Sequence, residues 1–199
     1  MKQDGADQSR RRFLTGAATV VGGTGLAITA VPFIKYWLPS ERTKAAGAPI
    51  EVDISKMEPG QLLNEEWRGK PIWILRRTDG MLNTLPKMND RLRDPQSKVE
   101  SQQPPYAQNL HRSIKAEYLV LVAICTHLGC VPLYKPEAGS VTDDWLGGFF
   151  CPCHGSKYDL AGRVFQGVPA PLNLEVPPYG YPDEHTIVVG EHNTEKGAA

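Results

Sequence analysis

An excess of charge in either direction is the first thing this sequence lacks. Lys and Arg together number 22, as do Asp and Glu, so the 199-residue chain is formally neutral. Neutrality offers no electrostatic footprint to a polyanion, which sets nucleic acid aside as a partner. Internal repeats are missing as well. Cysteine is scarce, with four in the whole chain. Long apolar runs are absent from all but one stretch near the N-terminus. What remains is enough for one soluble domain of about 150 residues with a real core, plus something extra.

The extra part is the apolar stretch. From Phe13 to Leu38 the only charge is Lys35, which makes this segment a candidate transmembrane helix. As a helix it reaches roughly 39 Å, more than a hydrocarbon core of about 30 Å, so tilt or interfacial ends are expected. Lys35, Tyr36 and Trp37 suit the interfacial end. Just before it, Ser9-Arg10-Arg11-Arg12-Phe13-Leu14 has a twin-arginine pattern, which implies bacterial export of a domain that is already folded. Cofactor assembly before export explains such a choice. The arginines place residues 1–12 in the cytoplasm and everything beyond 40 outside the inner membrane. A cleaved signal peptide is the alternative, with Ala45-Ala46-Gly47-Ala48 as its small-residue stretch, but the apolar segment is longer than a usual signal core.

Residues 39–49, PSERTKAAGAP, are small and polar with prolines near both ends, and read as a flexible linker or hinge. Residues 50–199 follow as the exported domain, in short strands and turns. IEVDI alternates; PIWILRR meets a hairpin-type turn at Thr78-Asp79-Gly80, with MLNTL beyond it. EYLVLVAIC, residues 117–125, is a continuous apolar strand, and GGFFCPC is another. Leu160-Ala161-Gly162 marks a turn, and two more strands flank Pro182-Asp183-Glu184. The expected fold is all-β, a sandwich or small barrel. Residues 86–113 interrupt it as a charged, proline-containing insertion with a helical turn or two.

All four cysteines fall in two hexapeptides, CTHLGC at 125–130 and CPCHGS at 151–156. Two of the five histidines, His127 and His154, fall there too. Thiols used as ordinary core residues are not concentrated in this way, so a metal or disulfide site is the default. Each hexapeptide ends a strand and offers a Cys and a His at short spacing. Together they supply one four-ligand site with two thiols to spare, and in an exported domain a spare pair suits a disulfide. Two thiolates and two imidazoles suit either tetrahedral zinc or a 2Fe-2S cluster with one iron on sulfur and the other on nitrogen. Spacing alone does not say which cysteines pair.

CTHLGC followed by CPCHGS across residues 131–150 resembles the Rieske iron-sulfur proteins of cytochrome bc complexes. The resemblance extends to the N-terminal anchor, the linker, and Gly167-Val168-Pro169-Ala170-Pro171-Leu172, which is similar to that family's proline loop. It implies a Rieske-type antiparallel sandwich or barrel with a cluster-binding part at about residues 120–172. It also implies that Cys125 and Cys151 hold one iron, that His127 and His154 hold the other through Nδ1, and that Cys130 and Cys153 form the disulfide. Ser156 and Tyr158 match positions whose hydroxyls donate to a bridging sulfide and to the Cys125 sulfur. Leu128, Gly167, Pro169, Ala170 and Pro171 match the apolar docking rim.

The activity the resemblance implies is that of the iron-sulfur subunit of a quinol–cytochrome c oxidoreductase. One electron leaves ubiquinol at a site shared with cytochrome b, with a proton passing to a cluster histidine, His154 before His127. The electron then goes to a membrane-bound c-type cytochrome, in a complex that is dimeric. Rieske ferredoxins and oxygenase components share the Cys-His pairs but generally lack the extra cysteine pair and the anchor. The Rieske subunit of a periplasmic oxidoreductase such as arsenite oxidase is a nearer rival. His111, His185 and His192 are read as solvent-facing, and Trp67, Trp73 and Trp145 as core or rim aromatics.

Overall fold

A computed structural model describes residues 7–191 and divides the chain into two units after Ala45. His192 lies outside the described residues. The first unit holds α1 (Gln8–Tyr36), 29 residues with no acidic side chain in the first turn and Lys35 in the last. Its best window has a mean hydropathy of 1.7 and nothing of it is buried. It is therefore long and apolar enough to cross a membrane, at ~43 Å by the α-helical rise. The helix starts before the apolar run because the Asp7 carboxylate accepts the Ser9 and Arg10 N–H groups, a cap that draws Arg10–Arg12 into the first turns. Three of its four threonines, Thr15, Thr19 and Thr29, bond back to the helix. Thr15 and Thr19 donate to the carbonyls of Arg11 and Thr15 at 2.9 Å each, which lets a hydroxyl sit in lipid without an orphaned donor.

The 39–49 stretch is not wholly extended. A short helix, α2 (Glu41–Ala46), opens where Ser40 Oγ accepts the Thr43 N–H, and Lys44 lies 2.7 Å from Glu41. A capping serine ahead of Glu, Lys and Ala favours a helix over a coil. Over those residues the span falls from about 3.5 Å to about 1.5 Å per residue.

The second unit is all-β, as expected. Its strands are β1 (Ile50–Asp53), β2 (Leu62–Trp67), β3 (Lys70–Arg76), β4 (Tyr118–Val122), β5 (Leu133–Lys135), β6 (Gly148–Phe150), β7 (Lys157–Tyr158), β8 (Tyr179–Gly180) and β9 (Thr186–Val189). They form three antiparallel three-stranded sheets, ordered β1-β9-β8, β2-β3-β4 and β5-β6-β7. Strands β3 and β4 read as unbroken apolar runs because both faces are covered; Ile72, Ile74, Leu75, Val120 and Leu121 are wholly buried. Trp73 stacks on Phe149 with ring centroids 5.0 Å apart, joining the central sheet to the one that carries the second cysteine loop.

The hairpin expected at Thr78-Asp79-Gly80 is not there. Thr78 instead caps a one-turn helix, α3 (Asp79–Leu82), and a 3-10 helix spans Leu85–Arg91. The β-hairpin lies one step earlier, where Arg68 and Gly69 both take positive φ between β2 and β3, the geometry a tight two-residue connection demands. Strand β2 escaped the sequence reading because Asn64, Glu65 and Glu66 are exposed on an edge strand.

The 86–113 insertion is more than a solvated excursion. Arg112 within it is fully buried, as are Arg163 and Asp159, and Arg77 is nearly so. Arg163 Nε donates to Asp159 at 2.8 Å, and its other nitrogens reach Asn89 Oδ1 and the carbonyls of Pro95 and Leu85. Arg112 donates to the carbonyls of Ala161, Gly162 and Gln102. Burial pulls the guanidinium pKa of Arg77 and of Arg112 down to about 10, still charged at neutral pH. Three buried cations thus surround one carboxylate, with backbone oxygens completing the coordination. Asp159→Asn removes the one buried carboxylate among the described residues and is expected to lower the unfolding free energy by about 3–5 kcal/mol, read by denaturant titration of the full chain in detergent. A loss below about 1 kcal/mol would mean that the carbonyls alone carry the buried charge.

Candidate metal centre

Both cysteine loops leave the ends of strands and close in the same way. In the first, the Cys125 N–H donates to the Cys130 carbonyl at 2.8 Å and the Gly129 N–H returns to the Cys125 carbonyl at 3.0 Å. In the second, the Cys151 N–H donates to Ser156 at 2.8 Å and the Gly155 N–H to Cys151 at 3.0 Å. The fifth position is glycine in both because its φ is positive, +85° at Gly129 and +77° at Gly155, where a Cβ is strained. The first position of each loop is a buried free cysteine, Cys125 or Cys151. Two loops of the same closure therefore present two thiols inward.

The histidines of the two loops meet each other. Their ring centroids are 4.8 Å apart and nearly perpendicular; His127 is half-buried and His154 exposed. His127 Nδ1 is buried without a hydrogen-bond partner. Such an orphan is costly unless it serves as a ligand. The bridge between Cys130 and Cys153 joins the two loops.

The sulfurs of Cys130, Cys151 and Cys153 all lie within 4.8 Å of one another. That grouping is not a metal triad, because two of its sulfurs are bonded to each other and offer no thiolate. The chemistry of the donors points instead to the two free thiols, Cys125 and Cys151, and to the imidazoles that the same two loops carry. Burial, with the Cys125 thiol next to it, pushes the Cys151 thiol up. Two neighbouring thiols in such a site ionise together only when a cation is bound between them. The residues present thus fit a group that takes two thiolates and two imidazoles.

Hydroxyls line the underside. Tyr158 O–H lies 3.2 Å from Cys125 Sγ and accepts the Thr126 N–H at 3.2 Å. Burial, reinforced by Cys125, raises its phenol well above the ordinary range, so it stays protonated and able to donate. Ser156 is fully buried; its Oγ accepts the Ala170 N–H at 3.0 Å, leaving its own proton free to donate. Thr126 Oγ1 donates to the Leu172 carbonyl at 2.7 Å. Thr126 carries no sequence signal of its own, yet it fastens the proline loop to the first cysteine loop.

Around the histidines the surface is apolar. Leu128 is 72 % exposed, Val131 51 % and Leu133 47 %, and Gly167, Pro169 and Pro171 are exposed beside them in the chain's proline loop. Ala170 departs from the expected rim, since it is fully buried and spends its N–H on Ser156. Val131 and Leu133 were not anticipated, because single apolar residues in a loop carry no pattern. His185 is exposed as expected, whereas His111 is half-buried with its Nδ1 unpartnered; its carbonyl accepts from Arg77, which holds it inward. Trp67, Trp73 and Trp145 are all buried.

Residues 93–178 match the family described as the Rieske [2Fe-2S] domain, and residues 1–40 match the "Ubiquitinol-cytochrome C reductase Fe-S subunit TAT signal". A ubiquinol-cytochrome c reductase iron-sulfur subunit from Allochromatium vinosum is 52% identical, over 96% of this chain and 93% of the relative. Its counterpart from Blastochloris viridis is 45% identical, over 94% of this chain and 96% of the relative. Among solved structures, a chain of a hyperthermophilic respiratory Complex III is 28% identical with a TM-score of 0.50, covering 88% of this chain and 98% of that one.

Proposed function

The chain belongs to the Rieske iron-sulfur subunits of ubiquinol-cytochrome c reductase, and from that premise we propose how its residues work. It is a component of an oxidoreductase and carries one Rieske-type [2Fe-2S] cluster. Cys125 and Cys151 hold one iron, and His127 and His154 hold the other through Nδ1. The observation that carries this assignment is the buried, partnerless Nδ1 of His127, whose ring lies 4.8 Å from that of His154, in the two loops that each open on a buried free thiol. When bound, the cluster supplies one-electron acceptance at a potential raised by exchanging two thiolates for neutral imidazoles.

The remaining work is done by side chains. His154 is exposed at the tip, so its Nε2 hydrogen-bonds the ubiquinol hydroxyl and takes its proton, with His127 the less accessible partner. Leu128, Gly167, Pro169 and Pro171, joined by Val131 and Leu133, form a rim that docks on cytochrome b and keeps water from the exchange. The buried Ala170 holds that loop in place from beneath. The electron continues to a membrane-bound c-type cytochrome. Helix α1 anchors the chain in the bacterial inner membrane with its N-terminus cytoplasmic and the Rieske domain periplasmic, in a dimeric complex. Residues 39–49 form the hinge on which the domain moves between partners.

Electron paramagnetic resonance of the dithionite-reduced full chain tests the assignment. A mixed His/Cys [2Fe-2S] signal is expected, and an all-thiolate signal or iron-free protein overturns it. Tyr158→Phe and Ser156→Ala should each lower the midpoint potential in a redox titration and slow quinol oxidation, because each removes a donor to sulfur; unchanged potentials would refute those roles. Replacing residues 39–49 with a rigid proline-rich segment should slow cytochrome c reduction while leaving the cluster spectrum intact. Normal delivery through the rigid segment would remove the hinge.

A further inference from the structure

The loop disulfide has a third sulfur beside it. Cys151 is buried and free, and its Sγ lies within 4.8 Å of both Cys130 and Cys153, themselves bonded to each other. A free thiol held against a disulfide is the arrangement for thiol–disulfide exchange. We propose that iron ligation of Cys151 is what fixes the bridge at Cys130–Cys153, so that cluster insertion must precede bridge formation. This rests on the assignment of Cys151 as a ligand.

The step is an isomerisation. The Cys151 sulfur attacks the Sγ of Cys130 or Cys153, a new S–S bond forms, and the old one breaks. The bonding pair leaves on the displaced sulfur, which takes the proton given up by Cys151. One disulfide and one thiol stand on each side, so no oxidant is consumed. Both products remove Cys151 from the thiols available to iron. A chain that meets an oxidising compartment before its cluster is in place is thereby diverted from loading. Iron on Cys151 blocks the attack by occupying the attacking lone pair, and the bridge then has no competitor among the described residues within that grouping. The twin-arginine segment fits the same order, because it serves chains that fold, and load, before they cross.

The pairing is read directly. Detergent-solubilised full chain is split in two; one half is stripped of iron anaerobically with a ferrous chelator. Both are quenched in acid, alkylated with N-ethylmaleimide at mildly acidic pH, digested and analysed by mass spectrometry for disulfide-linked peptides. The loaded chain should show the Cys130–Cys153 bridge alone. In the stripped chain its share should fall by about two-fold or more, replaced by bridges from Cys151 to Cys130 or Cys153. A stripped chain that keeps the Cys130–Cys153 bridge alone overturns the exchange. Bridges from Cys125 to Cys130 or Cys153 as frequent as those from Cys151 overturn it as well, since Cys125 is not grouped with that pair in the folded chain. Cys151→Ser should hold little iron yet show only the Cys130–Cys153 bridge. Wild-type iron content in that variant would remove Cys151 from the ligand set and with it the protection, whatever the stripped chain shows.

Discussion

Everything at the tip depends on one repeated backbone closure. The first residue of each hexapeptide donates its N–H to the sixth at 2.8 Å and receives the fifth residue's N–H on its carbonyl at 3.0 Å, the same lengths in both loops. That ring turns the cysteine side chain inward and satisfies the backbone groups that would otherwise compete for the ligands. Two such rings face each other, so thiols and imidazoles from segments far apart in sequence converge. The histidine sits third in one loop and fourth in the other, and the rings still meet at 4.8 Å. The closure, more than the ligand spacing, makes the site.

The base under the loops explains why they hold their position. Strand β7 leads from the second loop into the turn at 159–163, and that turn is clamped by Asp159, whose carboxylate accepts the N–H groups of Ala161 and Arg163. Arg163 then reaches Asn89, Pro95 and Leu85. A buried ion pair contributes little net stability against an apolar substitute, but its many fixed hydrogen bonds specify one geometry. Tyr158 immediately precedes the clamp, so the hydroxyl that faces Cys125 inherits its position from the 85–95 segment.

The fold and the donors were legible for different reasons. Strands β3, β4 and β6 showed as apolar runs, and α1 as a stretch with a single late lysine, because burial or lipid imposes composition directly. Strand β2 was hidden because an edge strand can carry Asn64, Glu65 and Glu66 outward. Thr78-Asp79-Gly80 was misread because threonine followed by an acid caps a helix as readily as it opens a turn. In the site, the cysteines and histidines were conspicuous by residue type. Thr126 and the buried arginines were not, since their partners are main-chain carbonyls from distant segments, and main-chain acceptors have no sequence signature.

The hydroxyls beneath the loops couple two properties that could have been separate. Ser156 accepts from the Ala170 N–H with its oxygen and keeps its proton free to donate. Thr126 donates to Leu172 while its N–H goes to Tyr158. The exposed prolines at 169 and 171 are thus held through the same serine and threonine that lie against the donor atoms. Losing the serine hydroxyl removes a donor and also leaves the Ala170 N–H without its partner, so under the proposed assignment electron affinity and the shape of the proline loop change together. The tyrosine differs. Its oxygen touches Cys125 and Thr126 and makes no hydrogen bond to the proline loop itself, so its loss reaches that loop only at one remove, through Thr126.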